Sequence, residues 1–199
     1  MRFRKTTCAI LLLTAGLFFY SQIKCPHQAI GSLPGMRAFA RLKNRTILPQ
    51  QTDYDAEVTL ASLLEPGNDR QRWHTSRAAA VEGYVITVAR GGIESANCYS
   101  LFKRDIHIEI ALHPDAPPRE RVVLEVTPCM REWAERQGLD WSESALARDL
   151  VGRWCYFEGW LFFDSGHAGE SENIAPGRAD NWRATAWEIH PVTKFSAVR

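Results

Sequence analysis

Residues 129–152, CMREWAERQGLDWSESALARDLVG, decide how this chain folds. Trp133, Ala134 and Gln137 share one amphipathic turn, Gly138 interrupts it, and Ser142 to Leu150 resumes helical spacing behind a cap at Asp140 or Ser142. The periodic stretches on either side of this segment are extended. Its position among those strands therefore selects the topology.

Three strand patterns precede it. AAVEGYVITVAR (79–90) sets Val81, Gly83 and Val85 on one parity and Tyr84, Ile86 and Val88 on the other, and Gly91-Gly92 ends the run. RDIHIEIAL (104–112) alternates strictly, with Ile106, Ile108 and Ile110 on one face and Asp105, His107 and Glu109 on the opposite face. The third, RVVLEVTP (121–128), ends at Pro128 and is separated from the second by the proline-rich turn HPDAPPRE (113–120). After the helical segment come the aromatic run RWCYFEGWLFFD (153–164), the polar loop SGHAGESENIAPGRADNW (165–182) and the closing run RATAWEIHPVTKFSAV (183–198). The order β-β-β-α-β-β, mainly β with one inserted helical segment, is that of the OB-fold, a five-stranded Greek-key barrel. The isoleucine parity of the second strand suits the barrel interior. The polar parity then lies outside, on strands two and three and near the loops joining strands one to two and four to five, where OB-folds bind ligands.

The rest of the chain divides around this barrel, expected at residues 79–198. Arg2, Arg4 and Lys5 precede a 13-residue run, Cys8 to Tyr20, that is apolar apart from Thr14. This is shorter than the roughly 20 residues of a membrane span and reads as an export signal or signal anchor over residues 1–24. Residues 25–58 carry scattered Pro, Gly, Gln and basic residues without a period and read as a flexible tether. Within 59–78, Leu60, Leu63 and Leu64 fall at helical spacing before Pro66 and Gly67, which predicts a short lead-in helix. The charge is uneven: residues 1–78 hold 11 Lys/Arg against 5 Asp/Glu, and residues 79–199 hold 13 against 18. An acidic barrel weighs against a general nucleic-acid binder, which needs a basic footprint. Export would place Cys25, Cys98, Cys129 and Cys155 in an oxidising compartment, with their pairing left open. Cys155 lies within an aromatic strand pattern and reads as a small buried hydrophobe.

Four polar features fall where an OB-fold binds: GGIESANC (91–98), the Asp105/His107/Glu109 face, Asp164 with His167, and Glu188 with His190. Residues two apart on a strand share a face about 6.6 Å apart, close enough for an imidazole and a carboxylate to hold one metal ion or polarise one water. His107, Glu109, Glu188 and His190 are the candidate divalent-metal ligands, and all seven residues are candidate ligand-binding groups. No other cofactor is indicated. The plain alternative is ordinary polar surface on exposed strands. Trp154, Tyr156, Trp160, Trp182 and Trp187 offer either a stacking platform or core and loop anchors. For the closing strand, Trp187 and Ile189 are expected in the core with Glu188 and His190 on the other face. G-x-S-x-G, H-E-x-x-H, a phosphate-binding glycine loop and C-x-x-C are all missing.

The strings EGYVITVARGGIESANC, RDIHIEI, RVVLEVTP, GWLFFDSGH and NWRATAWEIHPVT resemble an uncharacterised family of mostly secreted bacterial OB-fold-like proteins that carry a WRATAWEIHPVT C-terminal motif. The likeness spans about Leu60 to Val198. It implies the barrel and export, and no established activity. Members of that family often carry C-N-C-H near Cys98, where this chain has Ala96, Asn97, Cys98 and Tyr99, so any metal role of those positions does not carry over. Staphylococcal-type nucleases share the barrel order, and Arg104, Asp105 and Glu109 only faintly echo their site. Two function classes follow. The first is an exported, envelope-associated binding or interaction module without catalysis, whose partner is a small ligand or an envelope protein and whose membrane contact is confined to the N-terminal segment. The second is a metal-assisted hydrolase, acting on phosphodiesters through the His/Glu pairs of strands two and five.

Overall fold

The structure is a computed structural model that describes residues 25–27, 29 and 34–198. The expected signal or anchor over residues 1–24 lies outside these. Among the described residues no helix is long and apolar enough to cross a membrane.

Strands β1 (Ala78–Arg90), β2 (Ile106–Ala111), β3 (Val122–Val126), β4 (Trp154–Phe163) and β5 (Trp187–Ala197) close into a barrel in the order β1-β2-β3-β5-β4. This is the OB-fold order read from the sequence. Neighbours are antiparallel except β3 and β5, which run parallel and pair at Leu124 and Ile189. The long β1 serves two partners, β4 along its first half and β2 along its second, with a register shift between Val85 and Thr87. Ile106, Ile108 and Ile110 point inward, as their parity predicts, and meet Leu124, Phe157, Leu161, Trp187 and Ile189 in the core. Cys155 is buried there as a free thiol.

The inserted segment forms two helices, α3 (Pro128–Arg136) and α4 (Glu143–Leu150), which follow α1 (Pro34–Lys43) and α2 (Leu60–Leu64) in the chain. Helix α3 starts earlier than the Trp133 pattern shows, because Pro128 sits in its first turn, where a missing amide costs nothing. The Thr127 and Ser142 hydroxyls accept the amides of Met130 and Ala145 and cap the two helices. Gly138, at φ +76°, makes the break between them. Met130, Ala134, Leu146 and Leu150 point into the core.

The N-terminal segment departs from the expected tether. Helix α1 (Pro34–Lys43), a tight turn at Gln51–Asp53 and α2 (Leu60–Leu64) all lie against the barrel. A disulfide joins Cys25 to Cys98 in the β1–β2 loop. The Phe39 ring meets Phe162 edge-on at 5.0 Å. Arg45 stacks 4.7 Å over Trp160 and donates to the carbonyls of Thr75 and Leu161, while the Trp160 indole donates to the Ile47 carbonyl. Each partner lies far along the chain, which is why no local period announced this packing.

Candidate functional site

Strand register builds the site on the outer face of β2, β3, β5 and β4. His107 lies opposite Glu125, and the Leu124–Ile189 pair brings Glu125 beside Glu188 and His190. Phe162 pairs with Glu188 and closes the row. His107 Nε2 is 2.5 Å from Glu125 Oε1, and His190 Nδ1 is 2.9 Å from Glu125 Oε2 and 3.1 Å from Glu188 Oε2. Two imidazoles thus converge on a single carboxylate.

Although outside the barrel, this face is not exposed. Trp187 and Ile189 are in the core as expected, but Glu188 and His190 are also buried, at 1% and 0% exposure. Helix α1 covers them from one side and the β4–β5 loop from the other. Lys43, at the end of α1, bonds closely with Glu94 of the β1–β2 loop and lies 3.8 Å from Glu125 and 3.9 Å from Asp105. The Lys43 ammonium also lies 5.8 Å over the Phe162 ring. From the other loop, the fully buried Arg183 reaches Glu188 at 2.7 Å and Asp164 at 3.2 Å. Asp164 in turn holds His167 Nδ1 at 2.7 Å. Trp182 stacks nearly parallel on His107 with ring centres 6.5 Å apart, forming a lid over the row.

This burial makes the charges depend on one another. Burial works against ionised Glu125, yet His190, Lys43 and His107 hold its carboxyl well below the usual range. Burial also opposes the imidazolium forms, and Glu125 overcomes it, raising His190 to about 10 and His107 to about 9. Asp105 goes the other way, because burial and the Glu125 charge push it up to about 7. Glu125 is therefore the negative centre, and Asp105 is the carboxyl whose charged form burial and that neighbour most oppose.

Six of the seven expected site residues join one connected charge network: Asp105, His107, Asp164, His167, Glu188 and His190. Glu109 does not. It pairs with Arg121 at 2.9 Å, away from the histidines, so His107, Glu109, Glu188 and His190 do not converge as one donor set, and the groups that do come together include Glu125. The sequence offered one signal for it, a lone charge within the apolar run VVLEV (122–126). Glu94 lay within the polar GGIESANC stretch (91–98) with nothing to single it out, and Lys43 and Arg183 carried no signal. The aromatic platform is not assembled either. Trp187 is core, Trp160 holds Arg45, Trp154 meets Tyr84 edge-on and only Trp182 reaches the site. A groove of about 550 Å³ along α3, lined by Arg131, Glu132 and Trp141, touches none of these charges.

Two groups have the donor types and spacing to hold a metal ion: Asp105, Glu125 and His190, and Glu94, His107 and Glu125. Within each group the donor atoms lie within 4.8 Å of one another. Comparison with models of protein families finds no match, and comparison with curated proteins finds none.

Proposed function

We propose that this chain is an exported, envelope-associated binding module that docks another envelope protein through its β1–β2 loop. The observation that carries this reading is the apolar surface of that loop. Ile93, Tyr99 and Phe102 are all exposed, Phe102 at 74%. Exposed apolar residues grouped on one loop mark an interaction surface more often than a free one. This loop is also one of the two that OB-folds use for ligands.

The Cys25–Cys98 disulfide supports both parts of the reading. Disulfides persist in oxidising compartments, which fits export. The apolar run ends at Tyr20, five residues before Cys25, so at most about 18 Å of chain separates it from the cysteine fixed to this loop. An N-terminal segment held at a bilayer would keep the loop beside it. The acidic barrel favours a protein partner over nucleic acid.

The test is site-specific photo-crosslinking in intact expressing cells, with a benzophenone side chain at Phe102 and a control at Leu139 on the α3–α4 connection. A discrete protein adduct from position 102 alone, lost when Ile93 and Tyr99 become Ser, is the expected result. Equal adducts from both positions, or lipid adducts alone, would overturn the reading.

A further inference from the structure

We infer that the Lys43 ammonium occupies a divalent transition-metal site formed by Asp105, Glu125 and His190, with His107 and Glu94 on its open side. The site goes beyond the docking surface proposed above: Glu94 and Asp105 come from the same β1–β2 loop, but none of that loop's exposed apolar residues takes part.

The argument rests on hydrogen bonds that are not made. Buried polar atoms in folded proteins are nearly always hydrogen-bonded. Among the described residues ten buried side-chain nitrogen and oxygen atoms are not, and five of them belong to this cluster: both carboxylate oxygens of Asp105, Glu125 Oε2, His107 Nε2 and His190 Nε2. All five are atoms that can ligate a metal, the two imidazoles once each gives up its proton to the solvent. Asp105, Glu125 and His190 are each at most 2% exposed, so water does not satisfy them from outside. His190 Nδ1 hydrogen-bonds Glu188 Oε2 at 3.1 Å, while its 2.9 Å approach to Glu125 Oε2 and the 2.5 Å approach of His107 Nε2 to Glu125 Oε1 are close charged contacts that leave Glu125 Oε2 and both Nε2 atoms without an aligned hydrogen bond. Apart from the His190–Glu188 bond, these donor atoms cluster in one small region, within 4.8 Å of one another in each group, without aligned donor–acceptor pairing.

Lys43 neutralises that space without satisfying it. Its ammonium is 3.8 Å from Glu125 and 3.9 Å from Asp105, beyond hydrogen-bond distance, and it bonds well only to Glu94. Imidazole and carboxylate ligands together suit a borderline ion such as Zn²⁺, which binds them at about 2.0–2.2 Å. Tetrahedral donors at that radius stand about 3.4 Å apart, so the 2.9 Å Glu125–His190 contact opens slightly and donors as far apart as 4.8 Å close by up to about 1.4 Å around the ion. Entry is from the rim, where the Glu94 and His107 side chains are 20% and 22% exposed. The lysine comes from a separate segment, α1, and not from the barrel wall that supplies the ligands. An ion and the lysine therefore compete for one place.

The experiment measures Zn²⁺ binding by titration calorimetry and by elemental analysis after dialysis, with ZnSO₄ as the only metal in chelator-free buffer. Wild type is compared with Lys43→Met and with Lys43→Met/Glu94→Gln, which removes the ammonium together with its nearest carboxylate and keeps the charge balance. We expect one Zn²⁺ per chain in both variants, at least 100-fold tighter than in wild type, and a rise in melting temperature on adding Zn²⁺ that wild type lacks. Adding Asp105→Asn or His190→Gln to the double variant should weaken binding at least tenfold. A single variant that folds only with Zn²⁺ present also supports the site. The inference is overturned if the double variant binds no more tightly than wild type. It is equally overturned if Asp105→Asn and His190→Gln leave the affinity unchanged, or if neither variant folds with or without Zn²⁺.

Discussion

His107 on β2 and Glu125 on β3 face each other across adjacent strands, and the same Glu125 carboxylate meets His190 of β5 through its other oxygen. One side chain thereby ties three strands and, through Lys43, the N-terminal helix. Removing one partner of a buried ion network leaves the others uncompensated, so Glu125→Gln should cost about 3–5 kcal/mol. Glu109→Gln breaks only a partly exposed pair with Arg121 and should cost less than about 1 kcal/mol. Urea unfolding of both variants checks this, and similar losses would mean that Glu125 is not the centre.

The barrel could be read from the sequence because strand parity and the helical insertion are local patterns. Ile106, Ile108 and Ile110 faced the core, and Trp187 and Ile189 did the same, because a period of two leaves only two faces. Parity states which face a residue is on, not what covers that face. Parity therefore places His190 outside the barrel wall, but the α1 side chains packed over its neighbours, Phe39 on Phe162 and Lys43 beside Glu125, come from more than 140 residues before His190 in the chain. The Glu109 assignment failed for a related reason. It is on the same face as His107, but the residue across the ladder from His107 is Glu125, and cross-strand register is not encoded within one strand.

The Cys25–Cys98 disulfide should hold α1 in place over the site. It closes a loop with a sequence separation of 73, for which loss of the cross-link costs about 2–5 kcal/mol. In a Cys25→Ser/Cys98→Ser variant, hydrogen exchange should quicken first at the amides of residues 40–45, ahead of β2 and β3. Unchanged exchange there would show that the Phe39 and Lys43 contacts hold the helix alone.

Asp164 gives the fold an acid dependence of known sign. Burial opposes its charge, but the bond from His167 and the Arg183 and Lys43 cations hold its carboxyl far below the usual range. A depressed carboxyl contributes stability above its unfolded value, about 3.9, and loses it as pH falls toward the folded value. The stability gap between wild type and Asp164→Asn should therefore be largest near neutrality and shrink as pH falls from about 5 to 2. His167 has the opposite sign: its pKa is raised by the Asp164 bond, so its share is present below about 6.5 and fades as pH rises through its folded value. Denaturant midpoints at stepped pH read both trends, and a gap that stays constant down to pH 2 would contradict them.

At Gly159 the β5 backbone and Ile189 press against β4, leaving no room for a side chain. The β4–β5 register shifts on either side of it, between Glu158 and Gly159 and between Gly159 and Leu161. A Cβ at this position would lie 2.5 Å from Ile189 Cγ2 and 3.0 Å from the Val192 Cα, besides meeting the Pro191 carbonyl. None of these is the free end of a flexible side chain, so relief requires the backbone of β5 to move. Overpacking of a filled core costs about 1–3 kcal/mol, and a forced strand shift places Gly159→Ala at or above the upper end. The same shift would displace His190, which follows Ile189 directly and faces Glu125. Gly159→Ala should therefore lower the melting temperature and also broaden the His190 imidazole resonances by NMR. Gly169→Ala, whose nearest neighbour is an Arg178 nitrogen at 3.8 Å, should do neither. Equal behaviour of the two alanine variants would show that β4 and β5 can separate at this point without disturbing the charge network.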